Sequence, residues 1–202
     1  MKTVAMERVV RVACLVIALS YASESASNPA AGNACLSGIC VGDALSTERE
    51  VVKRLGGGIR IYRPDDVGAS RCYFDAGTGV WADFTFAGKE ESSAAGDLRG
   101  IMLTKQRICE GRTGEPRTKL GRQLAGVAIG MTESEVLASR GPPIRIDDAG
   151  EREGRKPAMA DTRYAAKFGA RVYVYERPND LGFTFVYFRD GRVRTIWFSA
   201  SE

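Results

Sequence analysis

Thr47-Glu48-Arg49-Glu50-Val51-Val52-Lys53-Arg54-Leu55-Gly56-Gly57-Gly58-Ile59-Arg60-Ile61 aligns without a gap to Thr132-Glu133-Ser134-Glu135-Val136-Leu137-Ala138-Ser139-Arg140-Gly141-Pro142-Pro143-Ile144-Arg145-Ile146, and eight of the fifteen positions are identical. Self-similarity of this quality reads as an internal repeat. Each copy follows an apolar residue and a glycine, Val41-Gly42 and Ile129-Gly130. The correspondence continues downstream: Arg71-Cys72-Tyr73 with Arg171-Val172-Tyr173, Phe84-Thr85-Phe86 with Phe183-Thr184-Phe185, and Leu98-Arg99-Gly100-Ile101 with Val193-Arg194-Thr195-Ile196.

Each block has a local reading. Thr47-x-x-Glu50 and Thr132-x-x-Glu135 are capping boxes, in which the threonine hydroxyl accepts from the glutamate N–H and the glutamate reaches back. Each starts a short helix that Gly56 or Gly141 ends, with Pro142 and Pro143 barring continuation. Four strand-like segments follow each helix, 59–63, 71–75, 80–87 and 98–105 in the first half and 144–147, 171–175, 181–188 and 192–199 in the second. The expected fold is α+β: two tandem repeats, each a short helical segment packed on an antiparallel, about four-stranded β-meander. The first repeat is placed at 35–110, a linker at 111–123 and the second repeat at 124–202.

The N-terminus speaks for export. Lys2, Arg8 and Arg11 precede an apolar run from Val12 to Leu19, and Ser20-Tyr21-Ala22 is a small-x-small cleavage site, so residues 1–22 read as a signal peptide. The apolar core is about half the ~20 residues needed to span a bilayer. Cys14 lies inside that core without a lipobox before it. Removal of 1–22 leaves 23–34 as a flexible mature N-terminus and takes three basic residues from 29 and one acidic residue from 25, so the mature net charge is +2. A nearly neutral chain has no global field for nucleic acid. The localisation expected is periplasmic or secreted, with no transmembrane segment in the mature chain.

Cleavage also leaves an even set of cysteines, Cys35, Cys40, Cys72 and Cys109, in an oxidising compartment, where two disulfides are the default. Of the three connectivities, the reading favours a local Cys35–Cys40 loop with Cys72–Cys109 closing a longer one. Paired C-x-x-C knuckles are missing, which argues against a four-thiolate metal site.

The catalytic inventory is thin. The chain contains no histidine, which removes Ser-His-Asp and Cys-His nucleophiles and histidine general bases. Gly56-Gly57-Gly58 follows a helix rather than preceding one, so it reads as a cap and turn, not a phosphate loop. Asp65-Asp66 and Asp147-Asp148 are adjacent loop carboxylates without calcium-loop spacing. The expectation is no catalytic residue, no metal and no cofactor.

The pattern Ile129-Gly130-Met131-Thr132 through Val136, Gly141 and Pro143, followed by an antiparallel meander, resembles the superfamily of the β-lactamase inhibitory proteins and the SmpA/OmlA-type outer-membrane assembly lipoproteins. In the first copy Asp43-Ala44-Leu45-Ser46 departs from the tight Gly-Met-Thr turn. The resemblance implies a helical layer on a concave sheet and a binding role without catalysis. The partner it implies is another protein, a β-lactamase-like enzyme or an envelope assembly factor. The resulting functional expectation is an exported non-catalytic protein-binding module, an inhibitor of another secreted or envelope protein. The alternative is a structural accessory of outer-membrane or cell-envelope assembly.

Strand alternation proposes the binding face. Phe84, Phe86, Val172, Val174, Phe183, Phe185 and Tyr187 are assigned to the core under the helices. The open face is then expected to carry Tyr73, Trp81, Asp83, Thr85, Arg171, Tyr173, Tyr175, Thr184 and Trp197. Tyrosine, tryptophan and arginine are enriched among interface hot spots.

Overall fold

The computed structural model of the chain describes residues 34–42, 46–63, 68–87, 97–109, 118–148, 169–176 and 182–200. Residues 1–22, where a signal peptide is expected, 23–33, most of the expected linker 111–123 and the stretch between 148 and 169 lie outside the described residues. Each half opens on a two-residue hairpin. Strands β1 (Cys35–Leu36) and β2 (Ile39–Cys40) are joined by Ser37 and Gly38, whose φ values of 53° and 75° are both left-handed. A turn with two positive φ angles matches the right-handed twist of the strands it joins, and glycine takes its second position without strain.

Helix α1 (Glu48–Leu55) follows, capped by the Thr47 hydroxyl, which accepts from the Glu50 N–H at 3.3 Å. Glu50 does not reach back to complete the box, because its carboxylate is held by Arg54 Nε at 2.9 Å. Four strands come next: β3 (Ile59–Arg63), β4 (Gly68–Asp75), β5 (Val80–Ala87) and β6 (Leu98–Thr104).

The second half has the same order of elements. Hairpin β7 (Gln123–Leu124) and β8 (Val127–Ala128) turns through Ala125 and Gly126, at φ 51° and 78°. Helix α2 (Glu133–Arg140) has both arms of its capping box, with Thr132 N–H on Glu135 at 2.7 Å. Strands β9 (Arg145–Asp148), β10 (Arg171–Glu176), β11 (Phe183–Arg189) and β12 (Arg192–Ser199) complete the chain. Backbone and side-chain ties recur at matching places. Arg54 donates to the Gly38 carbonyl at 2.7 Å and Ser139 to the Gly126 carbonyl at 2.9 Å. The Leu98 N–H bonds Ser46 and the Val193 N–H bonds Met131.

The strands do not form two separate sheets. β6 pairs antiparallel with β12, through Ile101↔Phe198 and Thr104↔Thr195 among others, and gives one eight-stranded sheet in the order β3-β4-β5-β6-β12-β11-β10-β9. At that seam the hydroxyls of Thr104 and Thr195, both fully buried, hydrogen-bond each other at 2.7 Å. Both helices and both hairpins pack on one face. Their contacts form a single cluster with Val51 and Val136 fully buried on the helices and Phe84, Ile101, Leu103, Val186, Ile196 and Phe198 beneath them. Eight-residue helices are marginal alone, so this shared apolar layer carries their stability. Two smaller clusters lie away from the helices, one around Met102, Val172, Val174 and Tyr187 and one around Cys72, Trp81 and Cys109. Cys35–Cys40 and Cys72–Cys109 are the two disulfide pairs.

The identical tripeptides Ile59-Arg60-Ile61 and Ile144-Arg145-Ile146 take opposite faces. Ile59 lies opposite Cys72, whereas Val172, the counterpart of Cys72, lies opposite Asp147, three residues past Ile144. An odd slip of register turns every side chain over. The cause sits at the residues before the strand. A Cβ on Gly58 would stand 2.7 Å from the Tyr73 ring, and its counterpart is Pro143, which has a full ring to place. The helix end is displaced accordingly: Gly56 accepts from Tyr73, but Gly141 accepts from Tyr175, two residues further along its strand than the counterpart Tyr173.

Candidate binding surface

The face away from the helices is built as rows that cross the sheet. One row runs Arg145, Val174, Phe185, Trp197, Met102, Asp83, Cys72 and Ile59, one residue from each of the eight strands in register. The next runs Asp147, Val172, Tyr187, Thr195, Thr104, Trp81 and Phe74. A third includes Phe183, Ser199, Gly100, Thr85 and Ser70.

Aromatic rings concentrate in two places on this face. Phe185 stacks on Trp197 with centroids 5.3 Å apart and Phe183 follows at 6.3 Å from Phe185; all three are half-buried. Phe74 stacks on Trp81 at 4.6 Å. The chain after β6 crosses the second place: Cys109 is bonded to Cys72, Arg107 stands 5.9 Å from the Trp81 ring centre, and Ile108 packs against both smaller clusters. Trp81 is therefore buried there, while Phe183, Phe185 and Trp197 keep accessible surface.

The nine residues expected on the open face divide. Trp81, Asp83, Thr85 and Trp197 are on it, Trp81 and Asp83 buried and Thr85 and Trp197 half-buried. Tyr73, Tyr173, Tyr175, Arg171 and Thr184 are on the helix side instead. Tyr73, Tyr173 and Tyr175 belong to the main core cluster, and Thr184, opposite Tyr175, is buried at 3% exposure. Conversely Phe183, Phe185, Tyr187, Val172 and Val174, assigned to the core under the helices, are on the opposite face. Phe84 and Phe86 are under the helices as expected.

The correction has a physical reason. The centre of β10 reads Val172-Tyr173-Val174-Tyr175, hydrophobic at four positions in a row, so alternation marks two faces without saying which is which. The hydroxyls decide it. The Tyr73 phenol donates to the Gly56 carbonyl at 2.9 Å, Tyr173 to Glu133 at 2.7 Å and Tyr175 to the Gly141 carbonyl at 3.4 Å, so each ring fills the core while its tip satisfies a helix end. Burial pushes the Tyr73 and Tyr175 phenols up to about 12, and burial with the Glu133 contact raises Tyr173. These are tethers between helix and sheet.

The arginines do similar work. Arg71 meets Glu48 of α1 at 2.7 Å and Arg171 meets Glu133 of α2 at 3.4 Å, at matching places in the two halves. Arg171 also pairs with Asp148 at 3.5 Å and lies over the Tyr173 ring. Buried Arg140 donates to the Ala125 carbonyl at 2.8 Å and stands over Tyr175 at 5.0 Å.

The sequence reading missed Phe74, Phe183, Phe185 and Met102 on the open face. The signal that reaches them is register: Trp197 lies on the open face, and Phe185 and Met102 are its cross-strand partners on either side. No family model, no curated protein and no solved structure matches the chain.

Proposed function

We propose that the chain is an exported, non-catalytic binding module that engages another protein through the helix-free face of its sheet, with Phe183, Phe185 and Trp197 as the anchoring side chains. The observation that carries this reading is the half-exposed Phe183–Phe185–Trp197 cluster, held in register on a rigid sheet. Large rings with two rotatable bonds bury area at low entropy cost and dominate interfaces. Two disulfides support the oxidising compartment that the N-terminal sequence implies. The resemblance to the β-lactamase inhibitory proteins supports a secreted or envelope protein as the partner class.

The module is further proposed to be a tandem duplicate, 35–110 and 124–202, of a unit made of hairpin, helix and four-stranded meander. The matched turns at Ser37-Gly38 and Ala125-Gly126, the matched ties from Arg54 and Ser139, and the matched Arg–Glu pairs support it. Duplication with the two last strands, β6 and β12, joined edge to edge makes one continuous binding face.

The test is capture from a secreted and envelope extract on immobilised protein. Wild type retains a partner that Trp197→Ala and Phe185→Ala both release by tenfold or more, with melting transitions that stay cooperative. Retention of every captured protein by both variants refutes the assignment of the face.

A further inference from the structure

Among the described residues the sheet ends on two unpaired edge strands, β3 and β9, and they are not alike. At β3 the isoleucines Ile59 and Ile61 pack against the Cys72–Cys109 cluster, and Arg60 is occupied by Glu48 at 3.3 Å. At β9 the register slip turns Ile146, opposite Tyr173, to the helix side and leaves it open, as it does Ile144 immediately before the strand. Ile144 is 61% exposed and Ile146 41% exposed, two of the three large exposed hydrophobics among the described residues. An open strand edge with apolar side chains is a template for another strand.

We propose that β9 is the interface of a symmetric homodimer, in which two β9 strands pair antiparallel about a two-fold axis through Ile146. The charges on the strand select this register. A two-fold perpendicular to the sheet keeps the helix layers on one side and requires paired residues to share a face, so the axis passes through a residue. Centred on Arg145 it sets arginine against arginine, and centred on Asp147 aspartate against aspartate; like charges directly opposite are destabilising. Centred on Ile146 it sets Ile146 against Ile146 and Arg145 of each copy against Asp147 of the other. Ile144 then meets Asp148, whose charge Arg171 already balances.

Within one copy Arg145 bonds Asp147 at 2.8 Å, so the dimer joins two such pairs into a four-charge square on the helix-free face. Isologous pairing of this kind closes, whereas β9 on β3 would run head to tail into a filament. The dimer would extend one helix layer and one aromatic face across both copies.

Sedimentation velocity of the purified chain across a concentration series tests this. The wild type sediments as two chains at the upper concentrations, while Arg145→Asp and Asp147→Arg each sediment as one. An equimolar mixture of these two variants returns to two chains, because each supplies the charges that the other lacks; an ion pair within one copy cannot produce that rescue. Ile146→Cys, on the axis, links to itself under mild oxidation and gives a reducible two-chain band. A wild type that stays a single chain throughout, or single reversals that leave the dimer intact, or a mixture that remains monomeric, overturns the proposal.

Discussion

Phe185 and Phe188 lie on the same strand, three residues apart, and their truncation separates the two faces of the sheet. Phe188 is 2% exposed, belongs to the core under the helices and lies 4.7 Å from the Tyr173 ring. Truncation to alanine removes a fully buried ring and leaves a cavity among side chains that Tyr173 and the helix end hold in place, which costs roughly 3 to 5 kcal/mol. For a chain of this size that lowers the melting temperature by about 6 to 20 °C. Phe185 is half-buried and its main neighbour is Trp197. Its truncation loses part of a ring's burial and one aromatic pair, about 1 to 2 kcal/mol, with no closed cavity. Thermal and urea unfolding of the two variants measure both quantities on the same strand. Equal losses, or a larger loss for Phe185, would refute the assignment of faces and with it the anchoring role of the Phe185–Trp197 pair.

Three further outcomes are expected. Replacing Cys72 with serine opens a loop of sequence separation 37, which in the chain-entropy model costs about 4 kcal/mol and is read as a drop in urea midpoint. Because Tyr73 and Tyr175 have folded pKa values raised to about 12, the folded state holds more protons than the unfolded state above the ordinary phenol range, so stability is flat with respect to these groups below pH ~10 and falls between ~10 and ~12; Tyr73→Phe and Tyr175→Phe flatten that fall in melts against pH. N-terminal sequencing of the exported product begins at residue 23, and an intact Met1 would overturn the export reading.

Local signals were legible wherever the chain solves a local problem. Thr47 and Thr132 cap helices because an N-terminal N–H needs an acceptor within three residues, and Gly56 and Gly141 end them. Of three possible cysteine connectivities, the one that closes the shortest loop, Cys35–Cys40, with Cys72–Cys109, is the one the structure has. What the sequence could not convey is the choice between faces of a sheet that is apolar on both. Trp81 and Trp197 look equivalent as strand aromatics, yet the chain from Lys105 to Cys109 brings Arg107 to the Trp81 ring and ties Cys109 beside it to Cys72, 37 residues away in sequence, and Trp81 is buried where Trp197 is half-buried.

The tyrosines make the same point from the other side. As a residue type, tyrosine on a strand suggests an exposed anchor, but a phenol also spans the distance from a sheet to the end of a helix packed on it. Which role it takes is fixed by whether an unsatisfied helix carbonyl or first-turn carboxylate stands at the reach of its hydroxyl. Gly56, Gly141 and Glu133 supply those acceptors, and they do so only after the helix has docked. Even near-identical segments do not escape this dependence. Ile-Arg-Ile packs inward against a disulfide at one edge of the sheet and lies open at the other, because a glycine in the first half lets the backbone approach a tyrosine ring and a proline at the aligned position of the second half forbids it. The register of an edge strand, and so the surface the molecule offers there, thus follows from the residue that leads into it, Gly58 immediately before β3 and Pro143 two residues before β9.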